Sequence, residues 1–548
     1  LIYYCILIYI IIYIYHFFTQ YIYTTNIIII IITTIIIIII IIIMNFPFSV
    51  RRVLLGGNNI TRLDSRSLQT FTKGGTLWDD EWDAIAKKIT YTKDFNQSAD
   101  QLREIVKSGL LRFTDLRDNP ERFFAAHRKV AEKSPELGPG FWIRFTVQYN
   151  LFAGTILGLA SDEQLPILDE MQGKGQLGCF ALTEKFAGVN SGLVVNTEIE
   201  WDQEKKKFIL NTPNEGAKKN WISQGFVADK GVVIANLKVD DTIVGPHAFV
   251  MDFRTDDGNL VDNVTMDDMG RKTVGNDLDN AWIHFDQVEL PQSAMLNRFA
   301  DINENGEYVL NVPGIRPFDM IGQRLFTGRV AVAQAALTFR KQLYEKTKLY
   351  TDTKKCWVPK VSNSSDLPAL SDIPQLIELF DEEMDRYNEM ETFLNICEEE
   401  LSACLKENSM PNIDLIEAIA VAKVKAVEES IEMTFRLKQE VGSYALMEGS
   451  GFEQMDFLQC CKFAEGDSRI LMLKMARDRL SKYQRKMKKG DDSSSSGTTD
   501  DLEDEQCRII MDTMKAADGA ANNVGTYKEM NKLAEMTMER ILTQYSGK

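Results

Sequence analysis

Apolar residues recur at three- and four-residue steps over a long first stretch of the chain, from about 74 to 175. Trp82 to Ile89 and Asp118 to Val130 carry this pattern, and Asn119-Pro120 marks a helix start. The period changes between about 176 and 290. Short apolar runs (Phe208-Ile209-Leu210, Val232 to Ala235, Ala248 to Met251) alternate with turn residues such as Asn211 to Gly216 and Asp256-Asp257-Gly258-Asn259, which predicts a β-domain. Helical spacing returns after Pro291. Ile416, Ala420, Val424, Val427 and Ile431 fall on one face, with Lys423, Lys425, Glu428 and Glu429 among them. Helices over 324–346, 373–406, 413–439 and 467–481 would form an antiparallel bundle across 291–481. Residues 482–506 turn basic, then serine-rich, then acidic, and read as a flexible linker before a short helical segment at 507–548.

The first 43 residues contain no Lys, Arg, Asp or Glu, and Ile27 to Ile43 is apolar except for Thr33 and Thr34. Two readings stand: an apolar membrane anchor, or translated AT-rich sequence upstream of a start at Met44. The second is favoured because no Lys or Arg flanks the apolar run. Between Met44 and Lys73, Arg51, Arg52, Arg62, Arg66 and Lys73 face one acid, Asp64. That is the composition of a mitochondrial transit peptide, with a disordered arm as the alternative. Arg62-Leu63, five residues, then Gln69-Thr70 nearly matches an N-terminal peroxisomal signal, whereas Ser546-Gly547-Lys548 is not a C-terminal one. A matrix location is therefore expected, with the peroxisome as the alternative.

A net charge of −17 over 548 residues argues against a nucleic-acid partner. The eight cysteines lack metal-ligand spacing and the four histidines form no HExxH run, so no metal site is expected. His247 reads as a strand histidine with a satisfied ring.

The candidate chemistry lies in separated motifs. Phe180-Ala181-Leu182-Thr183-Glu184 has the form F-x-x-T-E. Gly188-Val189-Asn190 follows it, and Lys219-Asn220-Trp221-Ile222-Ser223 comes next. Late in the chain stand Gln439-Glu440-Val441-Gly442 and Lys462-Phe463-Ala464-Glu465-Gly466-Asp467-Ser468. In this order and spacing, with Gly245 to Phe249 and Asp279 to Pro291 between them, the motifs resemble the acyl-CoA dehydrogenase and acyl-CoA oxidase superfamily, over about residues 140 to 480. The resemblance leans to the oxidases.

It implies a helical domain, a middle antiparallel β-domain and a C-terminal four-helix bundle. It also implies FAD. Phe180, Thr183, Gly188, Asn190, Trp221, Ile222 and Ser223 would wall and hydrogen-bond the flavin. Gln439 and Gly442 would reach the cofactor of a neighbouring subunit in a homodimer or homotetramer. Ser443 stands where the family has a second glycine. Arg340 is the nearest match to an arginine that also crosses to the partner, and Arg324 is the candidate for the acyl-CoA. Glu465 would be the base that removes the α-proton of the thioester, and Asp467, following the glycine as in oxidases, would contact the cofactor. The acceptor would be oxygen in an oxidase, or an electron-transfer flavoprotein in a dehydrogenase. A non-catalytic scaffold on the same fold is the reading from another class.

Overall fold

The computed structural model describes residues 77–188, 194–314, 317–359, 367–488, 499–516 and 523–546. The expectations for residues 1–43 and 44–73, and for Asn190, lie outside these. None of the described helices is long and apolar enough to cross a membrane.

Helices come first: α1 (Leu77–Ala86), α2 (Phe95–Ser108), α3 (Asp115–Asp118), α4 (Pro120–Leu137) and α5 (Phe141–Thr146). Then come a π-helical turn (Val147–Phe152), α6 (Ala153–Leu159) and α7 (Pro166–Lys174). Local chemistry sets several ends. Asp94 accepts the Asn96 N–H at the start of α2, and Gly109 ends that helix with φ +65°. The buried side chains of α5, the π-turn and α6 join the largest core of the molecule.

Strands follow: β1 (Gly178–Ala181), β2 (Glu198–Asp202), β3 (Lys207–Asn211), β4 (Lys219–Ser223), β5 (Lys230–Val239), β6 (Thr242–Asp252), β7 (Val264–Asp268), β8 (Asn280–Phe285) and β9 (Val288–Pro291). One sheet runs β1-β5-β2-β3-β9 with β6 on β5, and a second runs β4-β8-β7. Their inner faces enclose a separate core around Phe208, Phe249, Ile283 and Phe285. The β5–β6 hairpin closes on Asp240 and Asp241, both at positive φ, as a two-residue primed turn requires. Most pairings are antiparallel, as expected, but β5 takes β1 and β2 in parallel. A short ribbon, β10 (Ala300–Ile302) and β11 (Tyr308–Leu310), continues the strands past Pro291, where helices were expected to resume.

The bundle is built from α8 (Pro317–Thr353), α9 (Pro374–Glu407), α10 (Ile413–Val441), α11 (Met455–Phe463) and α12 (Ser468–Lys488). α8 exceeds its expected bounds at both ends. α10 buries far more than one stripe, including Ala418 to Val424 without a break, because α8, α9, α11 and α12 pack around it. Two more helices, α13 (Thr499–Ala516) and α14 (Tyr527–Ser546), follow, and α14 packs on α12, α10 and α9. Segment 482–506, expected to be a linker, is helical at both ends; residues 489–498 lie outside the description.

Candidate active site

Glu465 sits in the turn between α11 and α12. Its φ is +56° and that of Gly466 is +101°, so two consecutive residues are left-handed. For a glutamate this costs on the order of 1 kcal/mol and persists only where surroundings impose it. Two buried cations do so. Arg329, on α8, donates from Nε to the Glu465 carbonyl at 3.2 Å. Lys423, on α10, donates from Nζ to the carbonyls of Lys462 (2.8 Å) and Gly466 (2.9 Å). Burial lowers both, Arg329 to about 10 and Lys423 to about 8. Both cations are therefore spent largely on main-chain oxygens of the turn.

The side chain of Glu465 is 8% exposed. Its Oε1 accepts from Asn150 Nδ2 at 3.4 Å, and its Oε2 has no hydrogen-bond partner. Burial raises the carboxyl from 4.5 to about 7, against the Asn150 hydrogen bond and the charges of Arg329 and Lys423, which lower it. A carboxylate half-ionised near neutrality with an uncommitted oxygen can take a proton from a weak acid. Room for it comes from Gly328: a Cβ there would lie 2.3 Å from Glu465 Cδ.

Asn150 belongs to the π-helical turn, and so does Gln148. Gln148 Oε1 accepts the Gly178 N–H of β1 (2.8 Å) and the Gln224 amide (2.8 Å), and Gln224 also donates to the Gly178 carbonyl (2.7 Å). Two residues of backbone thus connect the bundle turn to the first strand. Single π-turns inside helices recur at functional sites.

Beyond β1 the chain exposes Thr183, whose hydroxyl makes no hydrogen bond among the described residues. Asn220 donates its N–H to the Thr183 carbonyl at 2.9 Å, and Glu184 bridges to Lys219, so Thr183 lies beside β4. β4 carries a register shift between Lys219 and Ile222. Within it Trp221 adopts φ +58° and is 55% exposed. A bulge of this kind re-aims a side chain, and here it leaves a large indole outward. Underneath, Lys219 Nζ and Glu184 Oε1 pair at 3.0 Å with both side chains 0% exposed, and Lys219 also donates to the carbonyls of Leu182 and Ile234. The desolvated lysine is lowered to about 8. The carboxylate further accepts the N–H groups of Asn196 and Thr197, so the pair is well saturated.

The sequence-derived residues therefore divide. Thr183, Trp221 and Ser223 come together at one edge of the strands; Ser223 Oγ accepts from Asn280 Nδ2 at 3.0 Å. Ile222 and Phe180 are buried behind them, and Gly188 is exposed. Gln439 is exposed near the end of α10, and Gly442 terminates that helix with φ +61°. Asp467 caps α12, its Oδ1 accepting the Arg469 N–H at 2.7 Å. Arg324 falls on α8, with its side chain outside the description. Arg340, expected to reach a partner's cofactor, is buried inside the bundle, paired with Glu383 of α9 and with Glu429 of α10 at 3.5 Å. Its guanidinium is held within its own chain. His247 bonds Gly245 O (2.9 Å) and Tyr308 Oη (3.0 Å), in keeping with a structural histidine.

Asn150, Gln148, Gly328 and Arg329 were not foreseen. Arg329 had a signal: a cation directly ahead of the largely apolar stretch from Val330 to Ala336, much as Lys423 is a cation within that of α10. A cation at a core position of a helix asks for a buried acceptor. Asn150 had none, because π-helical geometry leaves no period to read.

An exposed aromatic, a neighbouring free hydroxyl and a buried base linked through one short turn suit a flat, redox-active ring with a hydrogen-bonding edge. No family model matches the chain. Among solved structures it is similar to acyl-CoA oxidase 1 from Yarrowia lipolytica (TM-score 0.67, 20% identity, covering 86% of this chain and 76% of that one). It is also similar to acyl-CoA oxidase 2 of Caenorhabditis elegans, a structure with FAD, ascaroside-CoA and ATP bound (TM-score 0.64, 18% identity, covering 87% and 80%). A third is glutaryl-CoA dehydrogenase from Mycobacterium smegmatis (TM-score 0.56, 18% identity, covering 75% and 93%). The chain has the fold that acyl-CoA oxidases and acyl-CoA dehydrogenases share. In sequence its relatives are acyl-CoA oxidases: peroxisomal acyl-CoA oxidase 2 of Arabidopsis thaliana is 32% identical over 253 residues, 44% of this chain and 35% of that protein. The oxidase of Komagataella pastoris is 29% identical over 305 residues, 54% of this chain and 40% of that one. The matched region thus spans roughly a third to two fifths of these two relatives' length.

Proposed function

We propose that this protein is an FAD-dependent acyl-CoA oxidase, desaturating acyl-CoA thioesters to trans-2-enoyl-CoA in fatty-acid β-oxidation. The buried, half-ionisable carboxyl of Glu465, with Oε2 unpartnered, is the observation that carries this reading. Glu465 takes the α-proton of the thioester. Arg329 and Lys423 hold its turn, and the burial of its side chain limits the water that could compete for that proton. FAD, when bound, would supply the acceptor for the β-hydride and the route of those electrons to oxygen. Trp221, Thr183 and Ser223 would flank it on this chain. Gln439 and Gly442, exposed at the end of α10, would serve the cofactor of a second copy in a homodimer. The relatives' oxidase names favour oxygen over an electron-transfer flavoprotein. They also favour the peroxisome, since the Arabidopsis relatives are named peroxisomal; the matrix location expected from residues 44–73 gains no support from them.

The test is anaerobic absorbance of the flavin-loaded protein titrated with short-, medium- and long-chain acyl-CoA, followed by air. Bleaching that returns in air with peroxide is expected. Bleaching that persists in air would make the protein a dehydrogenase. A protein that takes up no FAD would overturn the reading and leave a scaffold on this fold.

A further inference from the structure

Three elements outside the α11–α12 turn reach Glu465, and they act on different atoms. Arg329 of α8 bonds the backbone of Glu465 itself, and Lys423 of α10 bonds the carbonyls of Lys462 and Gly466. Gly328 of α8 gives room without bonding. Among the described residues only Asn150 bonds the carboxyl group. Its own direction is fixed by the π-turn, which Gln148 pins to Gly178 and Gln224. Resting on the reading of Glu465 as the base, we propose that Asn150 is a positioning residue that aims the Glu465 carboxyl by donating its amide N–H to Oε1.

An amide can donate to an ionised carboxylate without adding charge, so Asn150 favours the form of Glu465 able to accept a proton. The charged groups facing Glu465 are Arg329 from α8 and Lys423 from α10. Around Lys423 stand Cys461, Asp467 and Glu428. Asp467 is turned to cap α12. The π-turn contributes no charge, since Tyr149 beside Asn150 is a buried phenol held neutral by desolvation. Loss of the Asn150 donor leaves both cations in place, so its effect is separable from theirs.

The test compares wild type with Asn150→Leu, which keeps the shape and removes the donor, and with Asn150→Gln, which keeps the donor on a longer arm. Two readouts are taken across pH 5 to 9: the rate of anaerobic flavin bleaching by acyl-CoA, and the melting temperature without substrate. For Asn150→Leu the acid limb of the rate is expected to move up by about half to one pH unit, a loss of roughly two- to sixfold at pH 7 that recovers at pH 9. The pH at which the melting temperature falls should move with it, flavin content should hold, and Asn150→Gln should lie between the two. An unmoved limb, or an equal loss at every pH, overturns the proposal. Should Asn150→Leu fail to bind flavin, Asn150→Gln and the melting profile of Asn150→Leu decide by the same shift. If wild type is bleached by no acyl-CoA, the functional reading falls, while the melting profile still decides whether Asn150 governs Glu465.

Discussion

A Cβ at position 328 would stand 2.3 Å from Glu465 Cδ and 2.6 Å from Asn150 Nδ2. Gly328→Ala should therefore displace the carboxyl and cut the bleaching rate roughly a hundredfold. Because residue 328 lies in a helix that alanine favours, flavin content and melting temperature should change little; stopped-flow bleaching against melting separates the two. The raised carboxyl of Glu465 has a second consequence. The folded state holds this proton more tightly than the unfolded chain, so the contribution to stability is fully present below pH 4.5. It is lost as pH rises to about 7, a change of about 3 kcal/mol. Glu465→Gln should remove that slope: it should melt above wild type at pH 8 and close to it at pH 5. Glu465, Thr183 and Trp221 could be put forward from the sequence because each sits in a short motif. Asn150 and Gly328 were not, since their roles arise from contacts across 315 residues and from an absent side chain.

Among elements, the C-terminal helices show how a charge run can mislead. Asp500 to Glu505 reads as solvated chain, yet Glu503 is fully buried. It accepts from Arg479 of α12 and, at 2.7 Å, from Arg540 Nε of α14. Asp504 takes Arg479 Nη2 at 2.6 Å and Lys486 at 3.0 Å. Truncating Glu503 leaves two guanidinium groups short of a buried partner, which costs about 3–5 kcal/mol. Glu503→Ala should loosen α13 and α14, so limited proteolysis should clip the chain within 489–546 far faster than in wild type. The ionic burial was hidden from periodicity because the partners lie on separate helices. The parallel pairings of β5 were hidden for a similar reason, since alternation fixes a strand's faces but not its neighbours.

Over the whole molecule, helices, then strands, then helices were legible from the change of period alone, because each layer buries its own face. The two main cores follow that division, one through the helices and one between the sheets. What sequence order could not place was the crossing between them, where the π-turn hydrogen-bonds β1 on one side and Glu465 on the other. The proposed dimer carries a prediction of its own. If Gln439 serves the flavin of a second copy, Glu465→Gln and Gln439→Ala should each lower activity alone. Mixed dimers would then hold one intact site, and co-expression should restore roughly a quarter of wild-type turnover; no recovery would place Gln439 outside the cofactor site. The π-turn also bears on how this chain can vary by descent. Its six residues present Gln148 to a strand and Asn150 to the base. Deleting a single codon there would let the helix close as α and swing the downstream side chains by roughly 100°, so that one contact could survive but not both. Along this turn a lineage can exchange residues more freely than it can change their number.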